Sequence, residues 1–241
     1  MKKMILAAVA VAAVGVAAFG VPPFTGQPTA GFAEGEAGFE SGVRRLPNGV
    51  VEVSALTPMP GVSAEMVGWW FGSYLQTTEH YQRWFPQAHV WMDWENKTPD
   101  EYIGASHLVH EYIGEDLAML RIQFVPAEEI LGEVDLGEDD VAVCARVGLL
   151  EEPLNVGRMC HIIRNTEDGA EMRSRFWLGF VAERDGNEQV ASLTGLVANT
   201  YLVRQLTLKN DAATALMQHC LDEMTIIAGF LPGLFAQETA T

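Results

Sequence analysis

Apolar residues recur at helical spacing through residues 210–231, where Ala212, Leu216, His219, Glu223, Ile227 and Phe230 fall on one side of a helix. Lys209, Asn210 and Asp222 fall elsewhere, so two ionisable residues interrupt an inward-facing stripe. A second helical pattern begins after Ser63, a suitable N-cap. Glu65 favours its first turn, and Pro86 marks a point by which the helix has ended. On that helix Met66, Trp70, Ser73, Thr77, His80 and Trp84 share a side.

Between the two helices the period changes to two. Residues 102–113 alternate as a strand, with Ile103, Ala105, His107, Val109, Glu111 and Ile113 on the more apolar face and Leu108, His110 and Tyr112 on the other. Residues 117–125, 141–150, 156–164 and 171–181 are further strand-length runs separated by polar, Gly-containing or Pro-containing connections. Residues 165–169 read as a hairpin turn in which Gly169 can take positive φ. Residues 191–205 fit either a short helix or a strand with a turn. Several strands followed by one long amphipathic helix predict an α+β fold.

Burying a carboxylate is costly unless it is paired or bound to a metal, and a neutral imidazole offers a lone pair suited to zinc. His219 and Glu223, four residues apart on one helix, supply half of a tetrahedral site, or simply hydrogen-bond each other. His107 and Glu111 allow the same two readings on their strand.

Composition narrows the function classes. The 241 residues, 49% hydrophobic, are enough for one full core. A net charge of -17 argues against binding nucleic acid or an anionic membrane surface. Cys144, Cys160 and Cys220 lack CxxC spacing, which predicts neither a disulfide framework nor a thiolate zinc site, but three buried, inert thiols. Met1, Lys2 and Lys3 precede an Ala/Val-rich run over residues 4–21. Residues 1–22 are therefore expected to be a signal peptide or a membrane anchor, placing the protein outside the cell, in a periplasm or on a membrane tether. Residues 23–49 read as a flexible linker and 50–241 as the domain.

The run Glu79-His80-Tyr81-Gln82-Arg83-Trp84, the phrase from Gly104 through His107 and Glu111 to Gly114, the run Glu171-Met172-Arg173-Ser174-Arg175-Phe176-Trp177 and the closing His219-x-x-x-Glu223 resemble the diacetylphloroglucinol hydrolase family over residues 56–236. The resemblance implies hydrolysis of a carbon-carbon bond. It also implies a zinc ion held by His80, Glu111, His219 and Glu223, and a small acylated aromatic or polyketide-like substrate. The fold it implies is a helix-grip (Bet v 1-like) arrangement, a curved antiparallel sheet around a long C-terminal helix. A homodimer is implied as well.

Within that scheme, His161 is the candidate acid or substrate contact, and His107 the candidate partner of Glu111. Arg83 stands where the family has an asparagine that holds the substrate ring, and Trp70 is a candidate pocket wall. Arg173 and Arg175 are expected on a solvated face with a cross-strand salt bridge. Two other classes remain open on the sequence: a carrier of hydrophobic ligands, which binds without metal, and a polyketide cyclase, which tolerates loss of Glu223.

Overall fold

The structure is a computed structural model that describes residues 41–133 and 136–240. The expected signal or anchor over residues 1–22, and the linker up to residue 40, lie outside the described residues. Strand β1 (Gly42–Arg45) pairs with β2 (Val51–Pro60), so the fold already includes residues that the sequence assigns to a linker. Their Gly-rich, charged composition hid a short edge strand that the ladder of β2 stabilises.

Helix α1 (Ala64–Trp69) follows, capped by the Ser63 side chain, which accepts from the Met66 amide. It runs into a π-helical turn (Trp70–Tyr74) and stops at Leu75, whose backbone is extended. Thr77 then caps a separate helix, α2 (Thr78–Trp84), by accepting from the His80 amide. The single helix expected from Ser63 to Pro86 is thus two helices out of phase. That break governs where His80 points.

The sheet continues with β3 (His89–Glu95), β4 (Ser106–Ile113), β5 (Asp116–Val125), a short helix α3 (Ala127–Leu131), β6 (Val141–Leu149), β7 (Leu154–Thr166), β8 (Gly169–Asp185) and β9 (Glu188–Val190). Every pairing is antiparallel, in the order β1-β2-β8-β7-β6-β5-β4-β3, with β9 on the free end of β8. The four strands predicted after residue 113 are all present. At the β7–β8 turn the backbone of β2 passes so close that a Cβ on Gly169 would lie 2.4 Å from the Met59 carbonyl oxygen, and φ there is 152°. Only glycine fits this approach.

Residues 191–205, ambiguous in sequence, form α4 (Leu193–Ala198) and most of α5 (Tyr201–Thr207). The long helix α6 (Asn210–Thr239) closes the chain and packs into the concave face of the sheet. Its buried residues include Ala213, His219, Cys220, Glu223, Met224, Ile227, Leu231 and Leu234, while Ala212 is exposed. The buried stripe is broader than the periodicity suggested and begins one residue later. A long helix gripped by one antiparallel sheet is the helix-grip arrangement, as expected.

Inward residues of the sheet join α1, α2 and α6 in the main core, which contains Trp70, Phe71, Phe124, Met172 and Met224. A smaller core on the outer face gathers Val50, Ile130, Ile162 and Trp177. Arg173 and Arg175 also lie there, and both are buried rather than solvated. Arg173 pairs with Glu171 at 2.6 Å, and Arg175 lies 3.9 Å from Glu52 of β2. The outer core also overturns the expectation of three free thiols. Register places Cys144 of β6 directly opposite Cys160 of β7, and the two form a disulfide. Spacing along the chain carries no information on cross-strand register, which is why the pairing was not legible. Cys220 is free and buried, and desolvation pushes its thiol up.

Candidate metal centre

Four ionisable side chains from three parts of the fold meet in the interior. Glu111 comes from β4, His219 and Glu223 from successive turns of α6, and His89 from the first position of β3. All four are at least nine-tenths buried. His89 Nε2 lies 3.4 Å from Glu223 Oε2 and 3.8 Å from Glu111 Oε2. His219 Nε2 lies 3.8 Å from Glu223 Oε2 and 3.9 Å from Glu111 Oε2. Donors bound tetrahedrally to one zinc ion lie about 3.3–3.6 Å apart, given metal–ligand bonds near 2.0–2.2 Å. The observed spacing is close to that range.

The protonation pattern fits a metal as well. His89 Nδ1 is 2.9 Å from the Tyr81 carbonyl oxygen, so that nitrogen carries the proton and donates it. In the neutral ring Nε2 then presents its lone pair, and it is buried without a hydrogen-bond partner. A carbonyl that fixes the tautomer of an imidazole in this way commonly accompanies metal ligation. Glu111 is held by the Tyr81 hydroxyl, which donates to its Oε2. The Tyr81 ring stacks on His89 with centroids 3.7 Å apart and planes 8° from parallel. Burial, and then the Glu111 charge, raise the Tyr81 phenol well above its ordinary value. Trp84 Nε1 donates to the Glu223 carbonyl at 3.1 Å and ties α2 to α6.

The structure brings together three of the four residues expected to hold the metal: Glu111, His219 and Glu223. It does not bring His80 to them. Its ring lies on the outer side of α2, stacked on Tyr74 at 4.3 Å with Nδ1 2.7 Å from the Tyr74 carbonyl oxygen. The break at Leu75 rotates α2 relative to α1, which removes His80 from the side of Trp70 and turns Tyr81 and Trp84 inward.

His89 takes the vacant corner. A strand with strict alternation would not place both His89 and Met92 inside. A bulge between His89 and Trp91 makes Val90 the extra residue, so that His89 faces Glu111 and Met92 faces Val109. Pro86 three residues before His89 was the available signal for a new element, but the bulge concealed its phase.

Arg83 follows His80 to the surface, where its Nη1 donates to the Tyr74 hydroxyl at 2.5 Å. Counted from His89 instead, the position three residues on is Met92, which is buried. Trp70 is fully buried among Tyr74, Trp84 and Phe230, with its indole N–H unpartnered. His107 does not hold Glu111, since Tyr81 does. It stacks on Trp94 at 4.7 Å and meets the edge of Tyr81 at 5.2 Å. Burial, and then His89, lower its pKa to about 3. His161 faces Ser174, with Nδ1 2.7 Å from the hydroxyl oxygen. Burial lowers its pKa to about 4, partly offset by the charge of Glu223. Both rings are therefore neutral at physiological pH. A polar cleft of about 630 Å³, lined by Ser73, Asp93, Trp94, Lys97 and Asp100 among others, contains none of the four converging groups.

Fold and site together define an α+β helix-grip protein with a buried centre of two imidazoles and two carboxylates. The family described as "DAPG hydrolase PhiG domain" matches residues 29–236, and the chain belongs to that diacetylphloroglucinol hydrolase family. It is 30% identical over 215 residues to the 2,4-diacetylphloroglucinol hydrolase of Pseudomonas protegens, a match covering 82% of this chain and 68% of that protein. It is 27% identical over 210 residues to the phloretin hydrolase of Eubacterium ramulus, covering 80% and 70% respectively. Among solved structures, Ara h 8.0201 aligns with a TM-score of 0.43 at 11% identity, covering 79% of this chain and 98% of that one. Membership makes this chain an enzyme of the hydrolase class.

Proposed function

We propose that this protein is a zinc-dependent hydrolase that cleaves the bond between an acyl carbon and an activated phenolic or β-diketone-like carbon. The observation that carries the metal is the convergence of His89, His219 and Glu223, with Glu111 Oε2 3.8 Å from His89 Nε2 and 3.9 Å from His219 Nε2, and with His89 Nε2 buried and unpartnered. Carbon-carbon bond hydrolysis follows from the family, whose named relatives include hydrolases of diacetylphloroglucinol and phloretin.

Those four side chains would hold the ion. When bound, zinc supplies Lewis acidity toward an acyl carbonyl and lowers the pKa of a bound water. The reaction adds the elements of water across one bond: oxygen ends on the acyl carbon as a carboxylic acid, and the former ring carbon takes a proton. A ring with neighbouring hydroxyls accepts the departing electron pair as an enolate rather than as an aryl anion.

This chain's residues prepare that outcome. Tyr81 holds Glu111 and orients His89, and the rings of Trp84 and Phe85 pack on Tyr81 and His219. We assign His161 as the relay that protonates the ring carbon: Nε2 gives up its proton as Nδ1 takes one from the Ser174 hydroxyl, 2.7 Å away. Because the ring is neutral, it acts as an N–H donor or a relay, not as a resident imidazolium.

The charged start and apolar run of residues 1–21 support export or a membrane tether. The Cys144–Cys160 disulfide supports an oxidising compartment. No helix among the described residues is long and apolar enough to cross a membrane.

The reading is tested by incubating the protein with an acylated phloroglucinol and with a β-diketone while following carboxylate release and zinc content. Turnover that disappears on chelation and returns with zinc is expected. A zinc-loaded protein that binds these compounds without cleaving them would contradict it.

A further inference from the structure

Every exposed position from residue 190 to residue 208 is apolar or aromatic, which inverts the usual surface pattern. Leu193 and Leu196 of α4, Tyr201, Leu202 and Leu206 of α5 and Val190 of β9 carry that exposure, with Leu193 71% and Leu206 56% accessible. Polar residues of the same stretch are turned to caps and clamps beneath it: Ser192 accepts from the Gly195 amide, and Thr200 donates to the Val197 carbonyl. Its one charged residue, Arg204, is buried. On a chain of net charge -17, this stretch shows no charge to solvent.

Both helices turn one side to β8. A Cβ on Gly195 of α4 would lie 3.2 Å from the Val181 carbonyl oxygen. Asn199 holds the Val181 backbone twice, accepting from its amide at 2.9 Å and donating to its carbonyl at 2.7 Å. Arg204 of α5 donates through Nε to the Gly179 carbonyl at 2.9 Å and through Nη2 to Asn199 Oδ1 at 3.0 Å. The opposite sides, which carry the leucines and Tyr201, therefore face outward together as one platform. Single exposed leucines are ordinary, but a contiguous group of this size marks an interaction surface.

The chain enters the domain beside this platform. Arg45, at the end of β1, donates through Nη2 to the Leu208 carbonyl at 2.7 Å, and a Cβ on Gly49 would meet the Tyr201 ring at 3.3 Å. Gly42, where β1 begins, is three residues from Arg45, about 10 Å along the strand. The Ala/Val-rich run over residues 4–21 is joined to β1 by about 20 residues, and a coil of that length spans about 25 Å on average. A membrane that holds the run thus meets the platform at high effective concentration. The other exposed apolar residues include Tyr112 of β4 and Leu117 of β5, at least five strand spacings, or about 24 Å along the sheet, from β1. Charge selects the lipid: an acidic body is repelled by anionic headgroups, whereas an uncharged platform is compatible with zwitterionic ones.

We propose that the α4–α5 platform rests on a lipid surface of zwitterionic headgroups, with Leu193, Leu196, Leu202 and Leu206 in the acyl boundary and Tyr201 among the headgroups. The platform lies on the bilayer and does not cross it. This rests on the reading of residues 1–22 as a membrane tether and is independent of the metal chemistry.

The test places a nitroxide on Leu206→Cys of the full-length protein, and separately on Leu117→Cys, with and without phosphatidylcholine vesicles. Cys144 and Cys160 are bridged and Cys220 is buried, so the label takes the introduced thiol. Relaxation by oxygen, which concentrates in lipid, is compared with relaxation by a water-soluble nickel chelate. Adding vesicles should abolish the nickel effect at residue 206 and raise the oxygen effect there, with no change at residue 117. A further Leu202→Asp should restore the nickel effect at residue 206; both positions are exposed, so neither change disturbs the core. A chain that sediments with the vesicles while residue 206 stays open to nickel would overturn the platform and leave the tether standing. A chain that stays in solution would overturn both. A label already shielded from nickel without vesicles would mean that a second copy or residues 4–21 cover the face, and that too would overturn the proposal.

Discussion

The hydroxyl of Tyr81 donates to the Glu111 carboxylate from a ring that lies flat on His89 and beneath a backbone carbonyl that fixes the His89 tautomer. One residue of α2 thereby orients two candidate ligands that belong to β3 and β4. Tyr81→Phe keeps the stack and the carbonyl and loses only the hold on Glu111. Zinc affinity, read by competition with a chelator, should fall about 10–100-fold, the usual cost of losing a partner of a metal ligand. In a Glu111→Gln background the same change should have little further effect, because the two residues act as one unit. An affinity unchanged by Tyr81→Phe would show that Glu111 needs no such support.

His161 and His107 give stability a pH dependence of definite sign. Their folded pKa values, about 4 and about 3, lie below the ordinary 6.5 because both rings are buried. From pH 6.5 downward the unfolded chain therefore binds protons that the folded chain does not. Stability falls as pH falls, until about pH 4 for His161 and about pH 3 for His107. The slope is at most about 1.4 kcal/mol per pH unit for each ring. Urea unfolding between pH 7 and pH 5 measures it, and His161→Gln should make the dependence shallower. A slope unaltered by that substitution would mean that His161 is already protonated in the fold.

The Cys144–Cys160 disulfide closes a loop of sequence separation 16 on the outer face of the sheet. Constraining the unfolded chain to that extent stabilises by about 3 kcal/mol. Reduction, or Cys160→Ser paired with Cys144→Ser, should lower the unfolding midpoint while leaving zinc content unchanged, because the bridge and the metal centre occupy opposite faces of the sheet. Loss of zinc on reduction would show that the two faces are coupled.

Much of this architecture was legible because its signals are local. The period-two runs after residue 113, the cap at Ser63 and the amphipathic C-terminal segment each depend on a few neighbouring residues, and each element is present. Glu111, His219 and Glu223 were legible for a related reason: an ionisable residue on an apolar stripe contradicts its surroundings. What failed was phase and register. The resemblance names His80 as a ligand, and its inward direction rests on one helix running through Leu75, where the chain breaks and restarts at Thr77. His89 was hidden by a bulge that puts residues three apart on the same side. The disulfide depends on which strands lie side by side, and no window along the chain contains that information. Tyr81 went unassigned because a tyrosine beside a tryptophan reads as core until its hydroxyl is seen to meet a carboxylate.

The most direct test of the central claim compares zinc per chain in His89→Ala and His80→Ala, prepared identically from the full-length protein and measured by elemental mass spectrometry. The structure predicts near one zinc per chain in His80→Ala, as in the parent, and strong depletion in His89→Ala. Retention in His89→Ala with loss in His80→Ala would contradict the centre described above and return the first ligand to α2.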